Sequence, residues 1–230
     1  MRPTRTSAVA GSVYLALGLA WVLLARPPGL WLVELGWIAA VAVAGLFVPG
    51  RANQVSLARA YLAAPALAYA LAPGGLGSLA LVLALAGLTD LVDGTIARRF
   101  DRPSSFGGAL DPVVDGVLLG AVVIGLAIGG VVPAWLAAVI ILRYLLPGLV
   151  GLALLTSGRR PELRHTVTGQ ISTSLIIVLI GGICLFRFMD QDAGNVVIGA
   201  EIVIPIATVA TFVHLGLVMR RAMAPRPGPA

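Results

Sequence analysis

The stretch ALDPVVDGVLLGAVVIGLAIGG, residues 109–130, decides the fold. It holds two acids, Asp111 and Asp115, and then no ionisable side chain through Gly130. A bilayer core of about 30 Å is crossed by roughly 20 apolar residues in a helix, so this run has the length and composition of a membrane span with both acids near one end. The rest of the chain agrees: of 230 residues 59% are hydrophobic and only 11% charged, which argues against a soluble globular domain. The 16 basic residues, all arginine, outnumber 10 acids to give net +6. They sit between apolar runs rather than on a stripe with aromatics, which fits membrane topology and argues against nucleic-acid binding. A lone cysteine, Cys184, forms neither an internal disulfide nor a cysteine-based metal site.

Working outward by the same criterion gives eight spans, over about 7–25, 31–48, 56–72, 76–93, 109–130, 133–156, 168–186 and 196–219. The links carry Pro or Gly, as in Pro27-Pro28-Gly29, Pro49-Gly50, Pro73-Gly74-Gly75 and Gly129-Gly130. The first apolar run is longer than a signal-peptide core of about 7 to 15 residues, so a retained helix is expected. With the N-terminus inside, Arg2, Arg5, Arg51, Arg98, Arg99, Arg102, Arg159, Arg160, Arg164, Arg220, Arg221 and Arg226 fall on the cytoplasmic side, against Arg26 and Arg187 outside. The sequence therefore predicts an all-α integral membrane protein, multi-pass in the cell membrane and surrounded by lipid, with both termini cytoplasmic. Glu34 and Glu201 are expected at the outer interface, and Trp21, Trp31, Trp37 and Trp135 in an aromatic belt or facing lipid.

Carboxylates inside a membrane are costly and mark function by default. Asp90, Asp93, Asp111 and Asp115 fall at the ends of two successive spans joined by the arginine-rich segment 98–104. On a helix Asp90, Asp93, Gly94 and Ala97 share one face, and so do Gly107, Asp111 and Asp115. Two antiparallel helices then aim four carboxylates into one cleft at the cytoplasmic surface, where Gly94, Ala97 and Gly107 leave room for a ligand. Four packed carboxylates repel one another unless a cation holds them. Oxygen ligands without Cys or His select Mg²⁺ or Mn²⁺, and two such ions suit phosphoryl chemistry. Arg98 offers a planar fork to a phosphate. An ion or proton path in a transporter uses intramembrane acids too, and residue types alone leave both readings open. Pro112 predicts a bend, eased by Gly108 four residues earlier.

Read as Asp90-x2-Asp93-Gly94-x2-Ala97-Arg98-x8-Gly107-x3-Asp111-x3-Asp115, the segment resembles the signature of the CDP-alcohol phosphotransferase (CDP-alcohol phosphatidyltransferase) family at every fixed position. Asn53-x2-Ser56-x2-Arg59 is similar to the motif that opens the first core helix in many members. The resemblance implies a six-helix transmembrane core, residues 51–220, preceded by two extra transmembrane helices in residues 1–50 and followed by a disordered tail, 221–230. It implies CDP-diacylglycerol as donor, two divalent ions held by the four aspartates, Asp115 as general base, and release of CMP. Gly94, Ala97, Arg98 and Gly107 would border the CDP-lipid, with Asn53, Ser56 and Ser104 as further donor-site candidates. Ser104 and Ser105 also suit helix capping. A homodimer is implied as well.

The partner in transfer is a small polar acceptor alcohol. Arg143 lies mid-span, where an arginine is expensive, so it is expected to face the cavity and meet an anion or an acid. With Arg164 it suggests a phosphate-bearing acceptor such as glycerol-3-phosphate or inositol phosphate; inositol, serine or phosphatidylglycerol are the alternatives. Arg159 and Arg160 read as positive-inside anchors, and His165 carries no assignment. Tyr144 stands where many glycerol-phosphate-using members have an acid, and Gly116 where those branches often carry Lys or Arg.

Overall fold

The computed structural model describes residues 4–27, 31–100, 105–156 and 167–223, and within these the side chains of 90, 91, 93–100, 105–109, 150–156, 167, 168, 170, 218, 219 and 221–223 lie outside the description. The described residues form eight helices: α1 (Arg5–Ala25), α2 (Trp31–Gly45), α3 (Arg51–Leu71), α4 (Leu76–Phe100), α5 (Ser105–Ile128), α6 (Ala134–Thr156), α7 (Val167–Phe188) and α8 (Gly194–Met223). Each expected span coincides with one of them. Four of these helices contain segments long and apolar enough to cross a membrane: Arg5–Ala25, Leu110–Ile128, Ile171–Phe188 and Gly194–Leu217. Shorter apolar stretches lie at Trp31–Gly45, Leu76–Thr89 and Ala134–Leu149. The protein is an all-α integral membrane protein.

α3 is the less apolar helix of the set because it lies inside the bundle. Its run of alanines, including Ala58, Ala60, Ala63, Ala64, Ala66, Ala68 and Ala70, is buried, and small side chains let neighbouring backbones come close. α3 packs most extensively on α5 and α4, while α4 meets α7, α5 meets α6, and α8 meets α6 and α7. The core between them is branched aliphatic: Leu79, Leu83, Leu118, Leu119, Val122, Leu126, Leu136, Ile140, Ile176, Ile180, Ile183 and Ile204 are sealed from solvent, with Cys184 among them. Leu24, Val178 and Ile206 project outward and face lipid in such a fold.

The connections follow from their residues. Gly50, at the start of α3, has φ 90°, and Gly130, closing α5, has φ 67°; side-chain-bearing residues rarely adopt that left-handed backbone. α3 begins at Arg51, so Asn53 and Ser56 both lie on the helix. α4 continues to Phe100, past the expected end of its span, and carries Asp90, Asp93, Gly94, Ala97 and Arg98 on one uninterrupted helix. α5 likewise runs unbroken through Pro112, and α8 extends to Met223.

Side chains fasten the first two helices to α3 and to the turn before it, and two of the tryptophans take part. Trp21 Nε1 donates to the Tyr69 hydroxyl at 2.9 Å, and Trp37 Nε1 donates to the Ala60 carbonyl at 2.8 Å. Tyr14 stacks on Tyr61 with ring centroids 4.3 Å apart, and Ser7 Oγ donates to the Val48 carbonyl at 3.1 Å. An indole N–H in hydrocarbon needs a partner, and α3 supplies an acceptor to each of these two while the Trp37 ring itself stays exposed. Trp31 and Trp135 stay exposed, as expected of lipid-facing rings. Glu34, in the first turn of α2, is buried because α2 turns that side toward its neighbours.

Candidate active site

The site begins with helix geometry. Asp111 and Asp115 lie four residues apart on α5, hence one above the other on a single face. The face that carries them meets α3, and there Arg59 lies fully buried. Its Nη2 donates to Asp111 Oδ1 at 3.2 Å, and its Nε lies 2.8 Å from Asp115 Oδ1. One guanidinium thus bridges two carboxylates through two different nitrogens. The side chain of Asp115 is 7% exposed and that of Asp111 30%, so the pair grades from a shielded acid to a partly exposed one. A buried charge is tolerated only when paired, and the three groups satisfy that condition together.

The other two acids reach this region through chain connectivity. α4 and α5 are separated by only residues 101–104, so the end of α4 that bears Asp90 and Asp93 and the start of α5 lie at the same end of the bundle. The side chains of Asp90, Asp93, Ala97 and Arg98, and the surroundings of Gly94 and Gly107, lie outside the description, although their backbones are helical. Ser104, Arg159, Arg160, Arg164 and His165 are outside the described residues altogether. Among the described residues no three His, Cys, Asp or Glu gather into a metal-binding group. What is visible, two hard oxygen donors one turn apart and held toward one side, has donor chemistry that fits Mg²⁺ or Mn²⁺.

On α3, Ser56 is buried and donates to the Ala52 carbonyl at 3.2 Å. Asn53, one turn nearer the helix start, donates through Nδ2 to the Pro49 carbonyl at 2.6 Å.

A second polar layer lies on the far side of α5. Arg143 is 4% exposed and binds neutral groups: Nη1 donates to Thr211 Oγ1 at 3.0 Å and to the Ala207 carbonyl at 3.4 Å, and Nη2 to the Gly169 carbonyl at 3.3 Å. It therefore ties α6 to α7 and α8. Its Nε and the neighbouring-layer Ser172 Oγ are buried without a partner. The Tyr144 hydroxyl shares a hydrogen bond with Thr173 Oγ1 at 3.0 Å, and its ring lies 5.6 Å from the Arg143 guanidinium carbon. Tyr144 packs directly against Gly116: a Cβ built on that glycine would fall 2.9 Å from Tyr144 Cβ. The two positions at which the sequence departs from the glycerol-phosphate branches thus touch each other, beside Asp115.

Sequence reasoning placed Arg59 in a motif without giving it a task, and it did not find Thr173, Thr211 or the Gly169 carbonyl. The expected span began at about 56 and put Arg59 within a turn of its end, so the cost that singled out Arg143 did not mark it; α3 starts at Arg51 and makes it mid-helix.

Comparison with known proteins gives this arrangement a family. The chain is 39% identical over 92 residues to a Drosophila melanogaster protein named "Probable cardiolipin synthase (CMP-forming)", covering 40% of this chain and 28% of that one. It is 30% identical over 132 residues to a Mycobacterium tuberculosis protein named "Probable phosphatidylglycerophosphate synthase", covering 57% and 59%. It is 31% identical over 147 residues to the CDP-diacylglycerol–glycerol-3-phosphate 3-phosphatidyltransferase of Bacillus subtilis, covering 58% and 75%. The match thus spans little more than a quarter of the first relative's length and under two thirds of the second's. The model of the CDP-alcohol phosphatidyltransferase family matches residues 50–213, from the turn before α3 into α8, and the chain belongs to that family.

Proposed function

We propose that this protein transfers a phosphatidyl group from CDP-diacylglycerol to the hydroxyl of an acceptor alcohol and releases CMP. The observation that carries the proposal is the α5 face on which Asp111 and Asp115, at the family spacing, are gathered by one buried arginine. A bond forms between the acceptor oxygen and the phosphorus that bears the diacylglycerol, and the bond from that phosphorus to the CMP oxygen breaks. Asp115 takes the acceptor's proton; its burial keeps water away from the carboxylate, and Arg59 sets its orientation. Asp90, Asp93, Asp111 and Asp115 would hold two Mg²⁺ or Mn²⁺ ions. Such ions supply the positive charge that offsets the charge developing on the departing phosphate. Gly94, Ala97, Arg98 and Gly107 border the CDP-lipid, with Asn53, Ser56 and Ser104 at its edge. The site faces the cytoplasm, both termini lie on that side, and the enzyme works as a homodimer.

For the acceptor we favour an alcohol that already bears a phosphate, contacted by Arg143 and Arg164. In support, Arg143 meets no carboxylate among the described residues, and its Nε remains unpartnered. A second reading, an uncharged or lipid acceptor, is favoured by the engagement of both Arg143 terminal nitrogens with Ala207, Thr211 and Gly169. The test is to give the purified protein labelled CDP-diacylglycerol, Mg²⁺ and each candidate acceptor in turn, and to identify the lipid formed. Turnover with glycerol-3-phosphate or inositol phosphate whose acceptor KM rises on Arg143→Met supports the first reading. Robust turnover with inositol, serine or phosphatidylglycerol, indifferent to that substitution, supports the second. Ion flux in proteoliposomes without CMP release would overturn the enzyme altogether.

A further inference from the structure

A guanidinium carries a charge that a protein interior has to accommodate permanently, since arginine does not lose its proton. At Arg59 the fold accepts that burden completely: the side chain is sealed from solvent. It places Nη2 on Asp111 and Nε on Asp115, at 3.2 and 2.8 Å. Bridging matters here. A fork closed on one acid would make an isolated pair, whereas a guanidinium that reaches both acids spreads its positive charge over two negative ones. The same oxygens, Asp111 Oδ1 and Asp115 Oδ1, belong to carboxylates that the proposed mechanism assigns to divalent ions.

We propose that Arg59 is the resident counter-cation of the carboxylate cluster. It stabilises Asp111 and Asp115 as a facing pair before any divalent ion arrives, and it competes with that ion for their charge. It is a positioning residue, acting through the two acids. The competition sets metal affinity low enough for binding to be completed by the incoming diphosphate, whose own negative charge shifts the balance back toward the ions. This inference rests on the metal-site reading above, and the test separates the two.

The full-length protein, purified in detergent without divalent ions, is titrated with Mn²⁺ alone, with free Mn²⁺ followed by electron paramagnetic resonance and thermal unfolding recorded at each concentration. Wild type, Arg59→Gln, Arg59→Lys and the Arg59→Gln/Asp111→Asn double variant are compared. Loss of the arginine is expected to tighten Mn²⁺ binding by roughly tenfold or more, because a unit positive charge beside two of the ligands repels the ion through a medium of effective dielectric about 20. Arg59→Gln should unfold at lower temperature without metal and regain most of the difference when Mn²⁺ is added. Arg59→Lys, which keeps a cation but has one nitrogen to share between the acids, should fall between Arg59→Gln and wild type in both. The double variant, with one negative charge fewer, should recover metal-free stability. If wild type bound Mn²⁺ but Arg59→Gln bound it equally or more weakly, or lost stability that Mn²⁺ did not restore, Arg59 would be an ordinary structural tie and this inference would fail alone. If wild type bound no Mn²⁺, the metal-site reading would fall with it. Should Arg59→Gln not fold, failure of the double variant to fold as well would equally overturn the counter-cation role, since removing the repulsion would then have brought nothing back.

Discussion

Gly116→Ala tests the packing beside Asp115 with one added methyl group. The new Cβ would lie 2.9 Å from Tyr144 Cβ and 3.3 Å from its Cγ, well inside the van der Waals separation of about 3.5 to 4.0 Å for two carbons. The atom it meets first is the root of the tyrosine side chain, so no rotation of the ring relieves the contact. α5 and α6 have to part by several tenths of an ångström. Overpacking of this kind costs about 1–3 kcal/mol, which for a chain of this size lowers the melting temperature by roughly 2–4 °C per kcal/mol. The displacement acts one residue from Asp115 and on a tyrosine tied to Thr173, so CMP release should fall by about tenfold, part of the roughly hundredfold that a full 1 Å misplacement entails. Gly120→Ala, one turn further along α5, is the control: a Cβ there meets nothing within 4 Å, and the exchange should be neutral or stabilising by up to about 1 kcal/mol. Tyr144→Ala retains the offending Cβ and so should not rescue Gly116→Ala. Thermal unfolding followed by tryptophan fluorescence, with CMP release at saturating donor, reads all four proteins. A Gly116→Ala protein as stable and active as wild type, or one restored by Tyr144→Ala, would refute the reasoning.

Asp115→Asn should lower CMP release by about 10²–10⁴-fold, the range for loss of a general base, while CDP-lipid still binds; near-normal turnover in the purified variant would show that another group takes the proton. Trp37→Phe removes the N–H donated to the Ala60 carbonyl and should cost about 0.5–1.5 kcal/mol of stability with kcat little changed. An unchanged melting temperature would mean that this bond does not brace the first two helices on α3. In a Cys184→Ser background, Ser104→Cys should resist a membrane-impermeant thiol reagent on intact cells and react after permeabilisation. Labelling from outside would invert the proposed topology.

The four-residue spacing of Asp111 and Asp115 was legible because a helix repeats every 3.6 residues, and a periodicity can be counted without knowing what the helix touches. The eight helices were legible for a related reason: length and hydropathy are local quantities, and a bilayer sets the length. Tertiary packing overrode those local signals in specific places. An indole reads as interfacial from composition, and Trp37 is exposed as expected, but the α3 acceptors that fix Trp21 and Trp37 are hidden by sequence distance. For Glu34, the sequence placed the residue near a span end, and only the packing of α2 shows that it is buried.

Sequence by itself determined the membrane class, the helices, and the two helices that carry the aspartates, since each depends on neighbours within about one or two turns. Only the tertiary structure decided that Arg59, 52 positions before Asp111 in the chain, would bridge the two α5 acids, that Gly116 would seat Tyr144, and that Arg143 would tie α6 to α7 and α8. These contacts depend on which helices become neighbours and how they are rotated. Local periodicity places a side chain on a face but cannot say what that face meets; close packing among α3, α5, α6, α7 and α8 settles it.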